Sequence, residues 1–172
     1  EQTMDGRVQA GVVGCVHVDD YERDIIKKHE KTRPDKEDDR TRHVLTTNAN
    51  AEPVFLTYRR EAFIGNAMAA ARQAPALDDF TSADGVRHRT WRMTSTEALV
   101  DAFRRVPAAY VADGHHRCAS AWRAGKLRRE QNPGHTGEEE YNWFLAVLFP
   151  SADLQILPYN RVVKDLGGKT PE

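Results

Sequence analysis

Residues 108 to 127 read AAYVADGHHRCASAWRAGKL. The apolar run Tyr110, Val111, Ala112 predicts a short strand, and the residues after Asp113-Gly114 predict a helix beginning near His115 or His116. Glycine enters left-handed backbone conformations without strain and lets a ligand approach the main chain closely, which suits Gly114 to the turn between them. The first amides of a helix have no intrahelical acceptors and sit at the positive end of its dipole, so the junction is a candidate anion site. His115, His116 and Arg117 add side-chain donors there, and an arginine grips phosphate through two parallel N–H bonds. The plainer reading is a helix capped by Asp113 with two surface histidines. Four residues, GHHR, leave both readings open.

Working outward, residues 7 to 18 (RVQAGVVGCVHV) are Val-rich and read as one buried strand. The following DDYERDIIKKHE predicts a helix capped by Asp19 or Asp20, with Tyr21, Ile25 and Ile26 on one face. Pro34 disfavours α conformation at Arg33, so the chain breaks there and a second helix starts near Asp35. Residues 53 to 58 (PVFLTY) predict a strand, and 61 to 74 (EAFIGNAMAAARQA) a helix. Residues 84 to 94 alternate as an exposed or edge strand. Residues 95 to 106 predict a helix with its cap at Ser95 or Thr96 and apolar Leu99, Val100 and Phe103. Residues 130 to 141 are polar and read as a loop. Residues 142 to 149 and the run LQILPYNRVV predict two further strands, and GGKTPE a frayed end. Strands and helices interleave irregularly, which predicts a mixed α/β (α+β) domain, a small mixed sheet flanked by helices.

Residues 28 to 40 read KHEKTRPDKEDDR, and ten of these thirteen carry a formal charge. A salt-bridged helix with a solvated face explains them. So does a segment that surrounds a strongly charged ligand.

The 172 residues suffice for one domain with a real core. With 40% hydrophobic and 30% charged residues the composition is that of a globular protein. A net charge of -1 supplies no general attraction to nucleic acid or to an anionic membrane, so a phosphate-bearing partner must be held by a local site. No apolar run approaches the roughly 20 residues of a membrane span. The N-terminal stretch lacks the basic and apolar regions of a signal peptide. The two cysteines, Cys15 and Cys118, form neither a disulfide framework nor a zinc pair. A cytoplasmic setting is expected. His17, His43, His88 and His135 have no ligand spacing between them, so no transition-metal site is expected, and Trp91 and Trp122 are expected in the core.

DGHHR after a short strand resembles the nucleotide-phosphate box of the ParB/sulfiredoxin-like superfamily, and the two-histidine form is similar to the free serine kinases. Those enzymes phosphorylate L-serine with ADP or ATP, using a glutamate upstream of the box as base. Glu30 is the residue that matches it. A broader resemblance rests on residues 12 to 43, PVFLTYR, YVADGHHR, YNWFLAVLFP and LQILPYNRVVKDL. These look like the bacterial domain of unknown function ten-fifteen, of which this chain matches the middle. Sulfiredoxins carry a catalytic cysteine where this chain has His115, and Cys118 lies beyond the box, so sulfinic acid reduction is not expected. The chromosome-partitioning proteins have an acidic residue and two arginines in the box, which this chain lacks.

The resemblance implies a kinase of free L-serine using ADP or ATP with Mg²⁺. Glu30 and Asp113 are the candidate catalytic residues, and Gly114, His115, His116 and Arg117 the phosphate-binding ones. Arg33, Asn160 and Arg161 are candidates for binding the amino-acid substrate, although a structural salt bridge explains Arg161 equally. Glu37 and Asp38 are candidates for Mg²⁺, which favours carboxylates and substrate phosphates. The alternative is a nucleotide-binding switch without transfer, which needs the phosphate box but no base.

Overall fold

In PVFLTY the alternation has a direct physical consequence: Val54, Leu56 and Tyr58 are buried while Phe55 and Thr57 between them are only partly so. The computed structural model, which describes residues 1–94, 96–158, 160–165 and 167–170, places this strand at the centre of a five-stranded mixed sheet. In chain order the strands of the protein are β1 (Gln2–Met4), β2 (Arg7–Gln9), β3 (Val12–His17), β4 (Ile26–Lys27), β5 (Val54–Tyr58), β6 (Asp78–Thr81), β7 (Arg87–Thr90), β8 (Ala109–Asp113) and β9 (Trp143–Pro150). The helices are α1 (Val18–Glu22), α2 (Pro34–Thr47), α3 (Ala62–Ala71), α4 (Thr96–Arg104) and α5 (His115–Glu130). The mixed α+β class expected from sequence is thus observed.

The larger sheet has the order β3-β9-β5-β8-β4. Strand β5 is parallel to β9 and antiparallel to β8, and β8 is in turn parallel to the short edge strand β4. Leu56, Tyr58, Val111, Phe144 and Ala146 from these strands form the core with Ile64 and Met68 of α3 and Leu99 and Ala102 of α4. Helix α5 buries mostly small residues (Cys118, Ala119, Ala121, Ala124, Gly125), which lets it lie close to α1, α2 and the sheet. A second, antiparallel sheet has the order β2-β1-β7-β6.

Several expectations are corrected by tertiary contacts. The run 7 to 18 is two strands in different sheets, with Ala10 and Gly11 between them. A Cβ on Gly11 would lie 2.8 Å from the Leu148 carbonyl oxygen, so the chain passes between the sheets at a point only glycine fits. The helix expected from Asp19 stops at Glu22. Asp24 adopts φ 59°, and Ile26, 3% exposed, becomes the buried residue of β4. Burial of Ile26 beside β8 outweighs the weak helical preference of a charged five-residue stretch. The cap of α1 is His17, whose Nδ1 accepts the Asp19 amide at 3.2 Å.

Helix α2 begins one residue earlier than expected, with Pro34 in its first turn, where a missing N–H costs nothing. Strand β7 is shorter than the stretch 84 to 94 and lies inside the second sheet, between β1 and β6, rather than at an edge. The run LQILPYNRVV is not a strand at its described positions: Ile156 and Val162 are 97% and 89% exposed and no ladder bond engages them. Ser95, Tyr159 and the end of GGKTPE lie outside the described residues. No helix among the described residues is long and apolar enough to cross a membrane.

Trp122 packs against the core, and the Trp91 indole donates to the Ala74 carbonyl at 3.0 Å. Both cysteines are free. Cys118 is completely buried on α5, and that burial pushes its thiol pKa up to about 12, whereas Cys15 is exposed. Iodoacetamide at pH 8 is therefore expected to label Cys15 in the native protein and Cys118 only after unfolding. Peptide mass mapping reads the outcome, and a native adduct on Cys118 would contradict the packing described.

Candidate functional site

The parallel pairing of β4 with β8 decides where the site lies. Ile26 pairs with Ala109 and Lys27 with Tyr110, so the two strands run the same way and release their chains at one end of the sheet. From β4 comes the charged loop 28–33, and from β8 the box Asp113–Arg117. The mouth beyond the carboxyl ends of parallel strands is where α/β sheets most often place ligands.

Gly114 has φ 99° and caps α5 without any side-chain hydrogen bond. The first backbone bond of the helix is Cys118 N–H to the Gly114 carbonyl at 3.0 Å, so the amides of His115, His116 and Arg117 precede the helical ladder. No acidic residue occupies the first turn. The plainer reading, a helix capped by Asp113, is replaced by an ion pair: Asp113 Oδ2 accepts from Arg117 Nη2 at 2.5 Å. An open, positive helix end of this kind is chemically suited to an anion.

The charged loop is seated on this helix end by two histidines. The Arg33 amide donates to His116 Nε2 at 3.2 Å, and the His29 amide makes a longer contact of 3.5 Å to His115 Nε2. The Glu30 carboxylate lies between two imidazoles, with Oε2 3.7 Å from His115 Nδ1 and Oε1 3.9 Å from His29 Nε2. The His29 and His115 rings meet edge to face, 4.4 Å between centroids. His115 is buried, and that burial, reinforced by the neighbouring His29, pulls its pKa below the usual histidine value. Glu30 and His29 are exposed on the other side of the same contact.

The remaining candidates are not all brought to this point. Arg117 folds back over Gly114: its Nη1 donates to the Pro53 carbonyl at 2.6 Å and lies 3.4 Å from Glu52. Arg33 is exposed and forms a two-point ion pair with Asp35. Glu37 and Asp38 are held by Arg123 at 3.2 and 2.6 Å, and Glu37 also accepts from the Thr32 hydroxyl. Asn160 and Arg161 are exposed in an irregular stretch, and among the described residues no hydrogen bond or ion pair joins either to the box. A cleft runs beside Arg117, lined by Arg40, His43, Asn50, Glu52 and Ser120, and Glu30 is not part of its wall.

His29 is the residue that sequence reasoning missed. It stands next to Glu30 in the chain, yet its histidine partner is 86 positions away, so no local spacing announces the pair. The family model described as Protein of unknown function (DUF1015) matches residues 1–172. No curated protein and no solved structure matches the chain.

Proposed function

The chain belongs to this family, DUF1015, and from that premise we propose that it is a nucleotide-dependent phosphotransferase, most specifically a kinase of free L-serine. One observation supports this reading above the rest: the uncapped start of α5 and the Glu30 loop share one mouth of the sheet, joined by His115 and His116. Phosphoryl transfer to a hydroxyl needs phosphates held in place, charge neutralised and a proton accepted, with little covalent work from the protein. ADP or ATP supplies the terminal phosphoryl group and departs as AMP or ADP. The amides of residues 115 to 117 and the side chains of His116 and Arg117 hold phosphate in this reading, and Glu30 takes the serine hydroxyl proton. The likeness of DGHHR to the phosphate box of the ParB/sulfiredoxin-like superfamily, and to the two-histidine form of the free serine kinases, points the same way.

The expected roles of other residues change with their surroundings. Glu37 and Asp38 are engaged by Arg123, so these carboxylates do not fit a Mg²⁺ site, and Mg²⁺ is assigned to the nucleotide phosphates alone. Asp113 becomes the partner that holds Arg117. Arg33, Asn160 and Arg161 stay candidates for the serine carboxylate, and Arg33 is tied to the box through its amide on His116.

A second reading, a nucleotide-operated switch, is favoured by one specific feature. Arg117 is already paired with Asp113 and Glu52, so a phosphate that draws it away would free the segment around Pro53.

The test is calorimetric titration with ADP, ATP and CTP, followed by detection of phosphoserine with each. The His116→Ala protein is expected to bind nucleotide about 1 to 3 kcal/mol more weakly, the loss of a charge-assisted hydrogen bond, while keeping its fold. Equal affinity removes His116 from the phosphate site. Tight nucleotide binding with no transfer to any hydroxyl leaves the switch as the better account.

A further inference from the structure

The geometry points to a transition-metal site formed by His29, Glu30 and His115. One ligand atom from each lies within 4.8 Å of the other two. Glu30 is central, its two carboxylate oxygens facing one imidazole each at 3.7 and 3.9 Å. Bonds of about 2.0 to 2.2 Å to a tetrahedral ion put neighbouring ligand atoms about 3.4 Å apart. Each imidazole is near that spacing from one Glu30 oxygen, the set as a whole spans up to 4.8 Å, and His29 and Glu30 sit on an exposed loop that can close the remainder.

The donor set defines the ion. Two imidazole nitrogens and one carboxylate suit zinc, iron or cobalt as divalent ions, whereas Mg²⁺ takes oxygen ligands. Three protein ligands leave at least one coordination position for water or an anion. That position opens beside the uncapped amides of α5, which also favour negative charge.

His115 contributes through Nδ1, which faces Glu30 at 3.7 Å, beyond hydrogen-bond reach. Its side chain is only 5% exposed, so the surrounding core fixes the ring direction in advance. Ligation through Nδ1 leaves the ring proton on Nε2. The 3.5 Å contact from the His29 amide is then given up, and coordination replaces it as the tie between loop and helix. Binding of the metal does not depend on binding of nucleotide. One consequence does rest on the phosphotransfer reading: coordination draws negative charge from the Glu30 carboxylate and weakens it as a base, so a bound transition metal would inhibit transfer where Mg²⁺ does not.

The experiment titrates tag-free protein with Zn²⁺ alone by calorimetry, and with Co²⁺ by its visible absorption, both without nucleotide. One equivalent is expected to bind, with a Co²⁺ spectrum of nitrogen and oxygen ligation, undisturbed by excess Mg²⁺. The His29→Ala protein is expected to bind about 100-fold more weakly or worse, since even the outer partners of a metal site change affinity by 10 to 100-fold. Because His29 is exposed, this variant keeps its fold, and circular dichroism checks His115→Ala. No stoichiometric binding, or equal affinity in His29→Ala, overturns the site. Nucleotide titration of the metal-free protein is read separately, so either idea can fail while the other stands.

Discussion

Glu30→Gln protein is expected to bind ADP or ATP as the wild type does and to form phosphoserine about 10² to 10⁴ times more slowly, the usual effect of removing a general base. The side chain is 63% exposed and its nearest side-chain partners lie at 3.7 and 3.9 Å, so the fold owes it little. Glutamine keeps the size and polarity of glutamate and removes only the ability to accept the proton at neutral pH. Loss confined to turnover separates a base from a phosphate ligand, because removing a ligand of the ground state also weakens nucleotide binding. The measurement pairs phosphoserine formation with nucleotide calorimetry, in Mg²⁺ buffer freed of transition metals so that Glu30 is not coordinated. Wild-type turnover in the variant would show that another group takes the proton.

Leu56→Ala is expected to have the largest effect on stability, about 2 to 5 kcal/mol, the range for deleting a buried leucine side chain. Leu56 is fully buried on β5, paired with Leu148 on one side and Val111 on the other. A cavity there is bounded by hydrogen-bonded backbone on both sides, so the surroundings cannot collapse into it cheaply. Urea unfolding should show a lower midpoint with an unchanged slope. A loss below about 1 kcal/mol would mean that the centre of the sheet is less tightly packed than these contacts require. Binding at α5 is a separate property, and the surviving folded fraction should keep it.

Legibility in the sequence followed the range of the forces involved. The alternation of PVFLTY, the apolar run of β9 and the strand–glycine–helix junction at Asp113–His115 are written in consecutive residues, and the structure has them where they were expected. Residues 19 to 30 were misread because Ile25 and Ile26 suit a helix face as well as a strand. What settles the matter is Ala109, which donates its amide to the Ile25 carbonyl at 3.1 Å from far along the chain. The run after Pro150 was misread for the converse reason: β-prone residues make a strand only beside a partner, and at their described positions Ile156, Val162 and Val163 have none.

The site divides in the same way. By itself the sequence determined the helix start at His115, the left-handed glycine before it and the crowd of charges at 28 to 40, since each depends on neighbours in the chain. It also singled out Glu30, which the structure sets beside His29 and His115. Only the tertiary structure decided which charges meet. Arg123 claimed Glu37 and Asp38, Glu52 was brought to Arg117, and His29 joined Glu30 and His115. The packing of α2 against α5 brings Glu37 and Asp38 to Arg123, and the pairing of two residues of β4 with the start of β8 brings the loop to the box. Ion pairs and imidazole contacts act over a few ångströms, so their partners are chosen after long-range strand pairing has fixed the distances, and no local pattern encodes that choice.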